Sequence, residues 1–195
     1  MQIRQLNLKE IEKIYRTDII YQFPPEEMKP FSSMEALYER GMYLCFGLYE
    51  GEDLLAYAFF VREETVRQIL LDYYVVCSPY RNRGLGGRFL QMLRCECVDY
   101  DAMLIEVENP AYAESAADRA LQQRRVDFYT RNGFRKTTIE VNLFETEYSI
   151  MAMDIAACPD DDLIFEELDR SYRKMLGEWY AEKVFFRRTE ELNDA

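Results

Sequence analysis

The sequence predicts an α/β (α+β) protein in which about seven strands are flanked by helices and a helical tail follows. Three observations carry this expectation. Three apolar segments of strand character crowd between residues 42 and 78. Segments of helical period stand before them and between the later strands. After residue 155 the pattern turns acidic and helix-periodic. The chain has 195 residues, which favours one domain, read as residues 1–155 with an extension, 156–195, packed on it. An extension of roughly 40 residues is too short to build an independent core.

The elements follow in order. Residues 1–7 read as a short strand. Over 8–19, Leu8, Ile11, Ile14, Tyr15 and Ile19 recur at helical spacing. FPPEEMKPF (23–31) is a proline-rich break. A second helix covers 32–40, with Ser32 or Ser33 as its cap and Gly41 as its end. MYLCFGLYE (42–50) and DLLAYAFFV (53–61) are strands joined by a tight turn at Gly51. QILLDYYVVCS (68–78) is apolar on both faces, as a central strand would be, and Pro79 ends it. A helix spans 84–98, with Leu85, Phe89, Leu90, Met92 and Leu93 as core candidates. AMLIEVEN (102–109) is the next strand, and a long helix runs from 114 to 131, stopped by Asn132-Gly133. Two further strands cover 136–144 and 147–154. In the tail, Phe165, Leu168, Tyr172, Met175, Trp179 and Phe186 mark one apolar stripe, which either packs on the domain or meets a second copy in a homodimer. Gly177 breaks or kinks that helix.

Composition narrows the chemistry. The chain has no histidine, which excludes Ser-His-Asp and Cys-His catalysis and most transition-metal sites. Acid–base work falls to Tyr, Asp, Glu, Lys, Cys, water or backbone. Five cysteines, Cys45, Cys77, Cys95, Cys97 and Cys158, form no paired pattern and read as reduced cytoplasmic thiols with no metal. The N-terminus lacks the layout of a signal peptide and no apolar run is long enough for a membrane span. The formal net charge of −12 argues against nucleic acid as partner. The charge is uneven: residues 81–136 carry ten Lys/Arg against eight Asp/Glu, a relatively basic stretch in an acidic chain. That stretch either marks an anion site or is a fluctuation of surface charge.

The segment YVVCSPYRNRGLGGRFLQML (74–93) is read either as an anion site or as plain turn chemistry of glycines before a helix. A strand runs into a loop with Arg81, Arg83, Gly84, Gly86 and Gly87, and the loop opens an amphipathic helix. The first N–H groups of a helix lack intrahelical partners, and its dipole adds positive potential there. Glycine allows the backbone to close on the anion, and arginine adds charge and forked donors. A phosphate or pyrophosphate suits this end. The Walker pattern fails for want of Gly-Lys-Ser/Thr, and the dinucleotide pattern fails at Phe89, where its third glycine would stand.

Arg81-Asn82-Arg83-Gly84-Leu85-Gly86 fills Arg/Gln-x-x-Gly-x-Gly/Ala and resembles the acetyl-CoA signature of the GNAT acetyltransferase superfamily. Farther on, Phe128-Tyr129-Thr130-Arg131-Asn132-Gly133-Phe134 is similar to that superfamily's FYxxxGF motif. The resemblance covers roughly residues 1–154. It implies a mixed, mostly antiparallel sheet and an acyl-CoA-dependent N-acetyltransferase acting without a metal. The acceptor would be an amine on a small molecule or peptide, and direct attack in a ternary complex the mechanism. It also implies that the donor lies between strands 68–78 and 102–109, with amides at a bulge over Val75, Val76 and Cys77 holding pantetheine and the thioester carbonyl. The pyrophosphate would lie over Asn82, Arg83, Gly84, Leu85, Gly86 and Gly87, next to Arg88. Phe128 and Tyr129 would line the thiol end, with Tyr129 protonating the thiolate. Asn109 stands as a doubtful donor contact, because its spacing from Tyr129 exceeds the family's usual one.

For the proton leaving the amine, the residues offer Asp72, in the middle of an apolar strand, and Glu106 or Glu108 on the next one, each acting directly or through water. Asp72 has an equally direct reading as a hydrogen-bonded structural carboxylate, and all three would also suit a cationic amine. A domain that binds acyl-CoA as a sensor, without turnover, is the second reading.

Overall fold

The computed structural model describes residues 1–24 and 28–189. Pro25, Glu26 and Glu27 of the proline-rich break lie outside the described residues. The chain divides into two compact units. The first comprises Met1–Glu64 with Leu71–Leu93; the second comprises Thr65–Leu70 with the chain from Arg94 onward.

In the first unit, β1 (Gln2–Gln5) pairs antiparallel with β2 (Tyr43–Glu50), and β2 with β3 (Asp53–Val61). The order continues to β4 (Gln68–Val76), whose first three residues belong to the second unit. Gly51 makes the β2–β3 turn with φ +61°, the left-handed value that a two-residue hairpin asks for. At Gly47 the reason is space: a Cβ would stand 2.5 Å from the Tyr49 ring and 3.1 Å from Leu6 and Leu54.

Helix α1 (Leu8–Ile14) begins at Asn7 with a capping box, in which Asn7 Oδ1 accepts from the Glu10 N–H and Glu10 Oε2 accepts from the Asn7 N–H. The chain then loosens into a π-helical turn, Tyr15–Ile19, before the short α2 (Ile20–Gln22). The expected single helix over 8–19 therefore changes hydrogen-bond pattern halfway. Helix α3 (Phe31–Glu39) starts at Pro30 and has no side-chain cap, so the expected caps Ser32 and Ser33 lie inside its first turn. Proline supplies the fixed φ of −55° there. Ile11, Ile14, Ile19, Met34 and Leu37 are buried, as are Leu48, Tyr57, Phe59 and Phe60. Helix α4 (Leu85–Glu96) follows β4, and Ser78–Tyr80 form a 3₁₀ turn between them, so β4 ends two residues earlier than expected.

In the second unit, β5 (Ala102–Glu108), β6 (Arg135–Leu143), β7 (Thr146–Asp154) and β8 (Val184–Arg188) run in the order β5-β7-β6-β8, with antiparallel pairing throughout. The β6–β7 hairpin turns at Phe144 and Glu145, with φ of +50° and +72°. Helix α5 (Ala116–Arg131) is capped by Ser115, whose hydroxyl accepts from the Asp118 N–H at 3.1 Å.

The tail differs from a single helix. Helix α6 (Asp161–Leu176), capped by Asp160, stops at Gly177, which has φ +56°. A 3₁₀ turn and α7 (Tyr180–Lys183) lead to β8, where Phe186 is registered against Val141 rather than lying on a helix. The run Val184-Phe185-Phe186 favours a strand, and its burial alternates accordingly. Eight strands thus occupy the described residues instead of about seven. Asp161 ties the tail to β6: it accepts from the Thr138 N–H at 2.6 Å, the Thr138 hydroxyl at 2.9 Å and Arg135 at 2.9 Å.

Candidate functional site

In the first unit, β4 delivers the chain to the loop that opens α4. Asn82 has φ +62° and Gly84 has φ +71°. Gly84 has open space around the position of a Cβ, so its conformation and not its size calls for glycine. Among the described residues, the N–H groups of Asn82, Arg83, Gly84, Leu85, Gly86 and Gly87 donate to no protein acceptor, and α4 has no capping side chain. The first intramolecular bond of the helix is made by Arg88, whose N–H reaches the Gly84 carbonyl at 3.3 Å. Six neighbouring donors at a helix start are an arrangement whose chemistry suits an anion. Arg83, Arg88 and Arg81 are exposed around it. Tyr74 on β4 donates its hydroxyl to the Gly86 carbonyl and stacks on Phe89 at 5.7 Å, which pins the first turn of α4 to the strand.

At the end of β4, Val75 is buried and Val76 and Cys77 are half-buried. The Cys77 N–H is not among the open donors: it bonds the Leu55 carbonyl of β3 at 2.9 Å. The Val76 carbonyl accepts from Arg81 Nε at 3.0 Å, which folds the loop back on the strand that leads into it. Burial pushes the Cys77 thiol up to about 11, helped by the charge of Asp18, so it stays a protonated thiol near neutral pH.

The carboxylate of Asp72 is only 3% exposed. Its Oδ1 is paired with Lys29 Nζ and its Oδ2 accepts the Tyr43 hydroxyl at 2.6 Å. Burial, then the Asp72 charge, hold the Tyr43 phenol well above its ordinary value, and the same two causes push Tyr73 up to about 12. Lys29 also donates its backbone N–H to the Tyr73 hydroxyl at 2.9 Å. Both Asp72 oxygens are thus engaged by donors.

In the second unit, Tyr129 lies two residues before the end of α5. Its ring meets Phe128 at 5.1 Å and Phe134 at 5.3 Å, both edge-on. Its carbonyl accepts from the N–H groups of Asn132 and Phe134, and Gly133 turns the chain with φ +98°. Burial holds the phenol above its ordinary value, against the pull of Arg125 one turn earlier. Tyr129 therefore stays a protonated phenol near neutral pH.

Glu106 on β5 accepts the Tyr172 hydroxyl from α6. Glu108 is paired with Arg125 and accepts from Gln122 Nε2 at 3.2 Å. Asn109 is buried and fully engaged: its N–H bonds the Glu147 carbonyl, its Oδ1 caps the Ala111 N–H at 3.0 Å, and its Nδ2 bonds Glu140 at 2.7 Å. It holds the strand end in place.

Four residues that the sequence did not single out stand in clusters of the first unit: Lys29 on Asp72, and Asp18, whose carboxylate accepts from the Tyr57 hydroxyl and from Gln22. Asp18 lies on the π-helical turn and Gln22 on α2, where the apolar stripe gives no reason to notice them. Tyr57 is one of fifteen tyrosines and lies in an apolar strand. No local pattern marks any of them; only long-range pairing does.

An acyl-CoA-dependent N-acetyltransferase is the class of enzyme to which this fold and its comparisons lead. The family model described as acetyltransferase (GNAT) family matches residues 8–134, and the chain belongs to that family. No curated protein matches it in sequence. Among solved structures it is similar to a GNAT-family protein of Bacteroides thetaiotaomicron, at 18% identity and TM-score 0.69, over 90% of this chain and 98% of that one. It is also similar to the ribosomal-protein-S18-alanine N-acetyltransferase of Escherichia coli, at 21% identity and TM-score 0.59, over 82% and 97% of the two chains. A third is the spermidine N-acetyltransferase of Vibrio cholerae in complex with CoA and spermine, at 12% identity and TM-score 0.57, over 80% and 95%. At these identities the likeness is one of fold.

Proposed function

We propose that the chain moves an acetyl group from acetyl-CoA to a primary amine of a small molecule or peptide, by direct attack while both substrates are bound. The observation that carries this reading is the set of open N–H groups over residues 82–87, at the start of a helix and beside three arginines. A diphosphate offers acceptors enough for that many donors, and the helix dipole adds to the attraction. The donor supplies an activated acyl carbon and a good leaving group. The chain's own part is to bind it, orient it and manage protons.

In this reading the Val76 N–H stabilises the oxyanion of the tetrahedral intermediate. Tyr129, held protonated, gives its proton to the departing thiolate. Asp72 and Glu106, each engaged by a hydroxyl or an ammonium, shape the electrostatics and orient the acceptor. The Cys77 thiol, held protonated, takes no acyl group. The three solved relatives are described as acetyltransferases or as a GNAT-family protein, and one was solved with CoA and a polyamine, which fits an amine acceptor.

The experiment is release of free CoA thiol from acetyl-CoA with a panel of a polyamine, an aminoglycoside, an amino acid and an alanine-ended peptide. Turnover with any of them, together with a rise in melting temperature on adding CoA, is the expected result. CoA that stabilises the protein while no amine is turned over would favour the sensor reading. No stabilisation at all would remove the donor site.

A further inference from the structure

Beside the anion loop, a second set of side chains is linked by hydrogen bonds through the first unit. Asp18 stands on the π-helical turn Tyr15–Ile19, half-buried. Its Oδ2 accepts the Tyr57 hydroxyl of β3 at 2.8 Å, and its Oδ1 accepts Gln22 Nε2 at 3.1 Å. Gln22 Nε2 also reaches the Ser78 hydroxyl at 3.3 Å, and its Oε1 accepts Arg81 Nη2 at 2.5 Å. Arg81 in turn holds the Val76 carbonyl. One chain of contacts therefore runs from a carboxylate to the first arginine of the donor loop and to the residue assigned to the oxyanion. The Asp18 charge is also felt at Cys77, next along from Val76.

Three features mark Asp18 as more than a structural carboxylate. First, its two hydrogen-bond partners are neutral, and among the described residues it makes no ion pair, unlike Asp72 on Lys29 or Glu108 on Arg125. Second, the turn that presents it departs from α-helical bonding in the middle of an otherwise regular amphipathic helix, a distortion that costs stability and is frequent at functional sites. Third, Tyr57 is held far above its ordinary value, by burial and then by Asp18 itself, so it remains a hydroxyl donor to that carboxylate.

We propose that Asp18 is the catalytic group that accepts the amine's proton, and that Gln22 couples its placement to the donor loop through Arg81. The inference rests on the transferase reading and deepens it. The amine nitrogen bonds to the thioester carbon, and the carbonyl pair moves onto oxygen. As the oxyanion collapses, the C–S bond breaks and the sulfur takes the Tyr129 proton. The nitrogen, positively charged in the intermediate, loses one proton to Asp18, which passes it to water. An N–H of this kind is more acidic than that of a free ammonium, which suits a carboxylate as the acceptor. Arg81 donates to Gln22 Oε1 while Gln22 Nε2 donates to Asp18 Oδ1, so one amide links the loop arginine to the carboxylate.

The test compares wild type, Asp18→Asn and Tyr57→Phe with acetyl-CoA and the amine turned over from the panel. Asp18→Asn is expected to lower kcat by roughly a hundredfold, with CoA affinity and melting temperature close to wild type. Tyr57→Phe removes one of the two donors on the Asp18 carboxylate and leaves the carboxylate itself, so it should lower kcat by less than Asp18→Asn with CoA affinity close to wild type. The charged and titratable groups that face Asp18 are Tyr57, Cys77 and, through Gln22, Arg81. The proposal is overturned if Asp18→Asn keeps kcat within threefold, or if its loss is matched by a loss of CoA binding or of folding. If the wild type itself turns over no amine, the transferase reading falls and takes this assignment with it. If the wild type is active and Asp18→Asn equally so, this assignment alone falls.

Discussion

Replacing Gly84 by alanine separates backbone conformation from every other property of the donor loop. Gly84 has φ +71°, and a Cβ added there meets nothing within 4 Å. The substitution therefore brings no clash, and its whole cost is the left-handed conformation, about 1–2 kcal/mol for an L-residue. That strain can be borne or relieved. If borne, the melting temperature falls and CoA affinity is kept. If relieved, the loop relaxes to negative φ, the amides of residues 82–87 diverge, and CoA binding weakens by up to roughly 5–30-fold, the same energy read as an equilibrium constant. The open surroundings favour relaxation. Gly41 is a matched control, with φ +70° and equally open space, but it ends α3 and lies outside the loop. Gly41→Ala should cost the same in stability and leave CoA affinity unchanged. The assay is a CoA titration by calorimetry with a thermal melt of each variant. Equal CoA affinity in Gly84→Ala and wild type, with no change in melting temperature, would refute the claim that this φ is required.

Other outcomes follow from the same geometry. Tyr129→Phe keeps the ring contacts with Phe128 and Phe134 and removes only the acid, so kcat should drop on the order of a hundredfold with little change in melting temperature; steady-state rates at saturating acetyl-CoA check this. Asp161 is held below its ordinary value: burial works against this, but the Thr138 N–H and Arg135 prevail. A depressed carboxyl contributes stability above its unfolded value, near pH 4, and loses it as pH falls through the folded value. Asp161→Asn should therefore flatten the acid side of the stability profile, and an unchanged profile in urea melts across pH 2–6 would count against the assignment. Gln68 is 4% exposed and neither its side-chain oxygen nor its nitrogen has a partner among the described residues. Gln68→Met keeps the length of the side chain and removes that desolvation, so it should raise stability by about 1 kcal/mol in denaturant titration, whereas a loss would reveal a hidden partner.

Most of the strands and helices were legible because each follows a local signal. The hairpin at Gly51 and the stop at Asn132-Gly133 are turn chemistry, readable over three or four residues. The donor loop was legible for the same reason: its glycines and arginines adjoin one another, and the helix start follows at once. In the tail the helix and its break at Gly177 were legible, but Phe186 was counted on the helical stripe because its spacing fits one. Gly177 takes a left-handed φ, and Phe186 then finds its place on Val141, about 45 residues back in the chain, a pairing that no local spacing announces.

The amino-acid order alone determined the fold class, the glycine- and arginine-bearing loop that opens α4 and the tyrosine near the end of α5, because each depends on neighbours in the chain. Tertiary structure alone decided what the carboxylates do. A carboxylate's role is set by the donors around it, and those come from other elements: Asp72 meets Lys29 and Tyr43, Glu106 meets Tyr172, and Asp18 meets Tyr57. Charge and hydrogen bonding act through space over a few ångströms, while sequence proximity reaches only along the chain.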